Sequence, residues 1–204
     1  GCGTGGNLEF LSAFGRLYAI EMDPLALKLA NEHKITTVEQ GFLPDGIPFH
    51  DKVFDLIIML DVLEHIEKDS LSLNTVYKLL SQDGMVILTV PAYTFLWGGH
   101  DVVAHHKRRY TKQAICSILK ENGFTSIWST YYNFFLFPII ASIRVMNKLF
   151  CSTAHSDNRI PPFLINSMLT KTFSFERYFF PWCSLPFGVS VLAVAQRGAG
   201  WASE

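Results

Sequence analysis

Two stretches of this sequence concentrate the residue types that can do chemistry. The first is Gly1-Cys2-Gly3-Thr4-Gly5-Gly6. Glycines at alternate positions let a backbone turn tightly and let a ligand approach where a Cβ would clash. Gly1, Gly3 and Gly6 fit the GxGxxG spacing of dinucleotide loops. Gly1, Gly3 and Gly5 fit the GxGxG spacing of S-adenosylmethionine loops, and an ordinary tight turn is the third reading. Glu21 adds a constraint, because an acid at the end of a second strand can accept hydrogen bonds from both ribose hydroxyls of an adenosine. The second stretch, residues 96–111, reads LWGGHDVVAHHKRRYT and gathers His100, Asp101, His105, Arg108, Arg109 and Tyr110. A histidine titrating near neutrality suits general-base work on a hydroxyl. His105 and His100 are the candidates, with His65 a third. Arg109 or Arg108 either holds an anionic acceptor, or is only solvated or paired with a loop acid. The spacing of His100, His105 and His106 fits no standard ligand pattern, so no metal is expected.

These groups need elements to position them. Residues 7–14 place Leu8, Leu11 and Phe14 on one helical face. Residues 17–20 read as a short strand ending at Glu21. Asp23-Pro24 then opens a helix, with Asp as cap and Pro at the first helical position. Residues 35–38 are a weak strand, and residues 41–50 a loop rich in Gly and Pro. Residues 53–60, VFDLIIML, form a nearly continuous apolar run, as expected of a central parallel strand covered on both faces. Residues 71–80 are helical, Asp83-Gly84 is a turn, and residues 85–90 are a buried strand that stops at Pro91. Alternating strand and helix implies an α/β fold, a doubly wound Rossmann-like, mostly parallel sheet whose ligands bind beyond the carboxyl ends of its strands. Beyond Pro91 the expectation is a polar and aromatic loop over 92–110, a helix capped by Thr111 and ended by Asn122-Gly123, a strand over 124–129 and a strongly apolar helix over 131–150. A polar linker over 152–162, a helix over 163–178 and a final strand over 187–196 follow. The chain begins on the first glycine, so we expect a domain cut at its first strand.

In order, GCGTG, the acid of YAIE, FDLIIMLDVLEHI and GMVILTVP resemble a class I S-adenosylmethionine-dependent methyltransferase. The similarity is to the branch that includes the ubiquinone and menaquinone methyltransferases, and it covers residues 1 to about 125. The resemblance implies S-adenosyl-L-methionine as cofactor. It implies that Gly1, Cys2, Gly3, Thr4 and Gly5 border the methionine and ribose, that Glu21 binds the ribose hydroxyls, and that Met22 lies against the adenine. Phe42 and Leu43 would lie near the adenine, and Leu60, Asp61, Val62 and Leu63 would line the inner face of the cofactor. Many relatives carry an acid after the third strand, whereas this chain reads GFLPDG there, leaving a backbone contact or Asp45 to serve. Residues 96–111 also resemble a stretch found in a subset of these enzymes.

Composition bounds the partners. A formal net charge of −1 gives no bulk attraction to nucleic acid, and none is expected as partner. Cys2, Cys116, Cys151 and Cys183 form no CxxC, so reduced thiols and a cytoplasmic setting are the reading. Charged residues are only 17% of the chain against about 25% in an average domain, and the apolar excess lies late. Residues 131–143, YYNFFLFPIIASI, reach about 20 Å as a helix, short of the roughly 30 Å bilayer core. Arg144 and Lys148 share one face of that helix. A lid, a homodimer contact, a helix in peripheral membrane contact over 131–150 and, if those two cations snorkel, a spanning helix are therefore the alternatives. The organisation expected is a cofactor-binding core over 1–130, an apolar helical cap over 131–186, a final sheet strand over 187–197 and a tail over 198–204. The function expected is methyl transfer to oxygen, nitrogen or carbon of a small-molecule or lipid-linked acceptor. An NAD(P)-dependent oxidoreductase is the runner-up, although Tyr110 and Lys112 have the wrong spacing for a hydride-transfer pair. A catalytically silent membrane-peripheral module is the third reading.

Overall fold

The computed structural model describes residues 1–49, 51–149, 162–180 and 183–198. Helices and strands alternate through the first part: α1 (Leu8–Ser12), β1 (Ala19–Glu21), α2 (Pro24–Glu32), β2 (Val38–Gln40), β3 (Phe54–Leu60), α3 (Asp69–Leu79) and β4 (Leu80–Pro91). After β4 come α4 (Gly99–Val103), α5 (Lys112–Glu121), β5 (Phe124–Tyr132), α6 (Phe137–Leu149), α7 (Phe163–Phe175) and β6 (Ser190–Arg197). Short 3-10 turns occupy Leu63–His65, Thr94–Leu96 and Glu176–Tyr178. Two helix starts follow the local chemistry. Asp23 Oδ1 accepts from the Ala26 N–H at 2.8 Å, with Pro24 opening α2. Thr111 Oγ1 accepts from the Ala114 N–H at 3.1 Å at the start of α5.

The strands form two sheets. β1 and β2 pair in parallel. The larger sheet has the order β3-β4-β6-β5, with β3 parallel to β4 and β6 antiparallel to both of its neighbours. Three of its four strands therefore run one way, and β6 alone opposes them. The inward side chains of β4 and β6 (Val86, Leu88, Val90, Val191, Ala193, Ala195) meet Leu73, Val76 and Leu80 on one side and Ile115 and Leu119 on another as one buried cluster. Each fully buried Leu contributes about 1.5–3 kcal/mol. Leu63, Leu73, Leu88 and Leu119 are fully buried, so this cluster fixes where the carboxyl ends of β3 and β4 lie.

The structure departs from the sequence reading at several elements. β3 is the outer strand of its sheet, not a covered central one, and Leu56 and Leu60 are each 39% exposed. Asp83-Gly84 lies inside β4. There the register passes from Phe54↔Leu80 to Leu56↔Met85, so the extra residues bulge out and do the work of the expected turn. Gly84 is needed at that bulge, because a Cβ would meet the Phe54 carbonyl oxygen at 2.9 Å. The apolar helix starts at Phe137, not at 131. Tyr131 and Tyr132 are the end of β5, paired to Val191 and Ser190. The segment after Pro91 is not wholly loop, since it contains α4. The expected linker over 152–162 lies outside the described residues except for Pro162, as does the tail beyond Gly198. Among the described residues no helix is long and apolar enough to cross a membrane.

Candidate functional site

The glycine loop is tied to the end of β1. The Cys2 N–H donates to the Ile20 carbonyl at 2.9 Å, and the Gly3 N–H donates to Glu21 Oε2 at 2.7 Å. Glu21 Oε1 accepts the N–H groups of Met22 at 2.8 Å and Asp23 at 3.0 Å. Burial alone would raise the Glu21 pKa. The N–H donors of Asp23, Gly3 and Met22 outweigh it and hold the carboxyl below its ordinary value of 4.5. Gly3 and Gly5 have positive φ, 56° and 87°. At Gly5 a Cβ would press on the His33 ring and Leu8 at 3.0 Å and on the Ala30 backbone at 3.1 Å, whereas at Gly3 it would meet open space. A Cβ on Gly1 would lie 3.5 Å from Glu21 Oε2 and 3.7 Å from Val62 Cγ2, so the loop bridges the ends of β1 and β3. Met22 is 63% exposed and Phe42 51% exposed, while Leu43 packs against the core cluster.

Asp61 follows β3 with φ at 51°, a left-handed conformation that is uncommon away from glycine. Its N–H donates to Thr89 Oγ1 at 3.0 Å and to the Thr89 carbonyl at 3.1 Å, which holds the turn. The turn directs Asp61 into a cavity of about 420 Å³. Asp61, Glu64, Pro91, His100, His106 and Arg109 line one side of it, and Ile140, Ile143 and Arg144 of α6 face them, with Val189 and Ser190 completing the wall.

A single carboxylate organises the segment from 98 to 109. Asp101 is fully buried and accepts from the Gly98 N–H at 2.8 Å, from Arg109 Nε at 2.7 Å and Nη2 at 3.0 Å, and from His106 Nδ1 at 2.9 Å. Burial would raise its pKa, but Arg109, the Gly98 N–H and His106 together lower it. An ionised carboxylate only accepts, so His106 carries its proton on Nδ1 and presents Nε2 to the cavity. His106 Nε2 lies 3.9 Å from Glu64 Oε1. Glu64 is fully buried, and neither of its carboxyl oxygens has a hydrogen-bond partner. Burial, with the charges of Asp61 and Asp101 adding to it, pushes Glu64 up to about 8. The His65 and His106 rings are 4.7 Å apart, edge to face. Burial, then the neighbouring His106, lowers the His65 pKa.

The candidates from sequence separate on this geometry. His100 lines the cavity, and His65 joins Glu64 and His106 beside it. His105 is exposed, with φ at 57°, and does not line the cavity. Arg109 lines the cavity, but its guanidinium is committed to Asp101 and to the Ala92 carbonyl at 2.9 Å, so it braces the segment. Arg108 donates to Asp69 at 2.9 Å and to the Glu67 carbonyl at 2.7 Å, so both arginines pair with acids, and those acids lie in helices, Asp69 opening α3 and Asp101 within α4. Glu64 and His106 are the site residues that sequence reasoning missed. The signal for Glu64 was a carboxylate inside an otherwise apolar DVLEHI run. Among the described residues the one set with converging ligand atoms is Glu64, His65 and His106.

A family model described as a methyltransferase domain matches residues 1–129. No curated protein matches the chain. Solved structures similar to it include an S-adenosylmethionine-dependent methyltransferase from Thermotoga maritima, at 12% identity and TM-score 0.61, over 97% of this chain and 79% of that one. Another is an S-adenosylmethionine-dependent methyltransferase from Archaeoglobus fulgidus, at 14% identity and TM-score 0.57, over 97% and 83%. A third is phosphoethanolamine N-methyltransferase 2 from Haemonchus contortus in complex with S-adenosyl-L-methionine, at 15% identity and TM-score 0.56, over 97% and 47%. At these identities the structural likeness speaks for the fold.

Proposed function

The chain belongs to the methyltransferase domain family, with S-adenosylmethionine as its cofactor, and from that premise we propose that it methylates an acceptor seated in the cavity between Asp61 and α6. One observation carries this reading. Val62, against which Gly1 sits, is the chain neighbour of Asp61, which lines the cavity, so the glycine loop and the cavity adjoin at one turn. The residues fit the cofactor. The loop is open at Gly3, where a Cβ would meet nothing, its turn depends on the left-handed Gly5 packed on His33, Leu8 and Ala30, and Glu21 is held ionised with acceptor capacity to spare on Oε2.

When bound, the cofactor supplies an electrophilic methyl on a sulfonium. The protein's own part is alignment and proton management. Holding an acceptor in line is worth several kcal/mol of the barrier. Pro91, Ile140, Ile143 and Val189 give the cavity an apolar flank for the body of an acceptor, and the Asp61–His100 side receives its polar reacting end. For a hydroxyl acceptor, His100 is the side chain placed to take the proton. His105, away from the cavity, is not assigned that role. The acceptor class this supports is a small or lipid-linked amphiphile. The exposed side of α6 and α7, with Ile139 60%, Met146 56%, Phe163 83% and Met168 70% exposed, supports an apolar approach to the cavity. We read α6, with α7 beside it, as the cap over it. Lys148 donates to the Phe95 carbonyl at 2.8 Å and Arg144 lines the cavity, so these cations brace α6 against residues 95–98.

Calorimetric titration with S-adenosylhomocysteine, with NAD as the parallel titrant, tests the reading. Binding of the first alone is expected, weakened at least tenfold in Gly5→Ala. NAD binding alone, or unchanged affinity in that variant, overturns it.

A further inference from the structure

We propose that Glu64, His65 and His106 form a binding site for one divalent transition-metal cation at the wall of the acceptor cavity. Their ligand atoms all lie within 4.8 Å of one another. Tetrahedral ligands about 2.0–2.1 Å from a metal are roughly 3.4 Å apart, so small side-chain rotations close the set. The Glu64–His106 pair at 3.9 Å is already near that spacing.

Three further features point to a ligand. Glu64 is fully buried, yet both carboxyl oxygens lack a hydrogen-bond donor. A buried carboxyl left so is costly, and a cation resolves it. His106 gives its Nδ1 hydrogen to Asp101, which leaves the Nε2 lone pair turned toward Glu64. Metal-ligating histidines are held by this kind of carboxylate partner, which fixes tautomer and ring direction. His65 has a hydrogen bond to the Ala104 backbone, which orients its ring in the same way. Two imidazoles with one carboxylate suit zinc, cobalt, iron or manganese better than magnesium or calcium, which prefer oxygen ligands alone. Asp61 and Asp101 add negative charge around the set. The remaining coordination positions would open toward the cavity that Glu64 and His106 line. Resting on the methyltransferase reading, a cation there would hold an oxygen of the acceptor and ease its deprotonation.

The test uses the full chain stripped of metal and titrated with Co²⁺, read by its visible absorption and by stoichiometry, with S-adenosylhomocysteine binding measured in parallel. One equivalent of Co²⁺ in a tetrahedral or five-coordinate spectrum is expected, displaced by Zn²⁺ and not by Mg²⁺. Glu64→Gln and His106→Asn should weaken binding at least tenfold, and His105→Asn should leave it unchanged. His65→Ala, at an exposed residue, repeats the test should a buried substitution unfold the protein. Absence of stoichiometric Co²⁺ binding, or binding that survives Glu64→Gln and His65→Ala, overturns the site. Retained S-adenosylhomocysteine binding in that case leaves the methyltransferase reading standing. Co²⁺ binding without S-adenosylhomocysteine binding supports the cation site and removes the catalytic role given to it.

Discussion

Glu21 does two jobs with one carboxyl group. It caps the turn after β1 through the Met22 and Asp23 N–H groups, and it anchors Gly3. Its lowered pKa makes both jobs pH-dependent. A depressed carboxyl contributes stability that is fully present above the unfolded value, here 4.5, and lost as pH falls through the lower folded value. Thermal melts of wild type and Glu21→Gln across acid pH should therefore differ most above 4.5 and converge below it. A gap that widens on acidification would contradict the hydrogen-bond assignment. At this scale the sequence was readable where spacing carries geometry. The alternating glycines and the acid of YAIE do meet at the end of β1. It was unreadable where a partner lies far along the chain. Nothing around Arg109 says that the Ala92 carbonyl, 17 residues back, shares its guanidinium with Asp101. Nor do the glycines disclose that Gly5 is hemmed in by His33, Leu8 and Ala30 while Gly3 faces open space.

The segment between β4 and α5 behaves as one element held by one residue. Asp101 draws Gly98, His106 and Arg109 together, and the Arg109 side chain is only 5% exposed. Asp101→Ala would leave that guanidinium buried without its charge partner, a loss of about 3–5 kcal/mol measurable by urea unfolding. A loss below about 1 kcal/mol would mean that the segment is held by its backbone and aromatic contacts instead. The sequence showed the ingredients of this element and hid its wiring. HDVVAHHKRRY contains the acid, the histidines and the arginines, but the turn after α4 leaves His105 exposed and brings His106 to the cavity. A one-residue difference in register is below the resolution of pattern reading. The start of α6 was misread for a related reason. Tyr131 and Tyr132 are as apolar as a helix face demands, yet the ladder to β6 claims them.

At the scale of the molecule, aromatic contacts hold the apolar C-terminal part together, and Phe173 of α7 meets Tyr132 at the end of β5 at 6.2 Å between ring centroids. Phe134 stacks on Phe187 at 4.5 Å between ring centroids, Phe137 meets Phe187 at 5.2 Å, and Phe135 meets Phe175 at 6.1 Å. The α/β alternation up to Pro91 was legible because each element's buried face is local in sequence. The order β3-β4-β6-β5 was not, because β6 inserts between strands that precede it by many residues. A chain ending at residue 186 would keep every helix and lose the strand that pairs with both β4 and β5. It should unfold without a cooperative transition in urea, whereas a cooperative transition like that of the full chain would show that β4 and β5 hold their places without β6.

That insertion also sets the order of events at the ribosome. Synthesis proceeds from β3 and β4 through β5 and both apolar helices before β6 emerges, so throughout that interval two strand edges and an aromatic-rich surface are made but unbridged. The nascent chain is most exposed to aggregation while α6 and α7 leave the exit tunnel, before the strand that joins β4 to β5 has been translated.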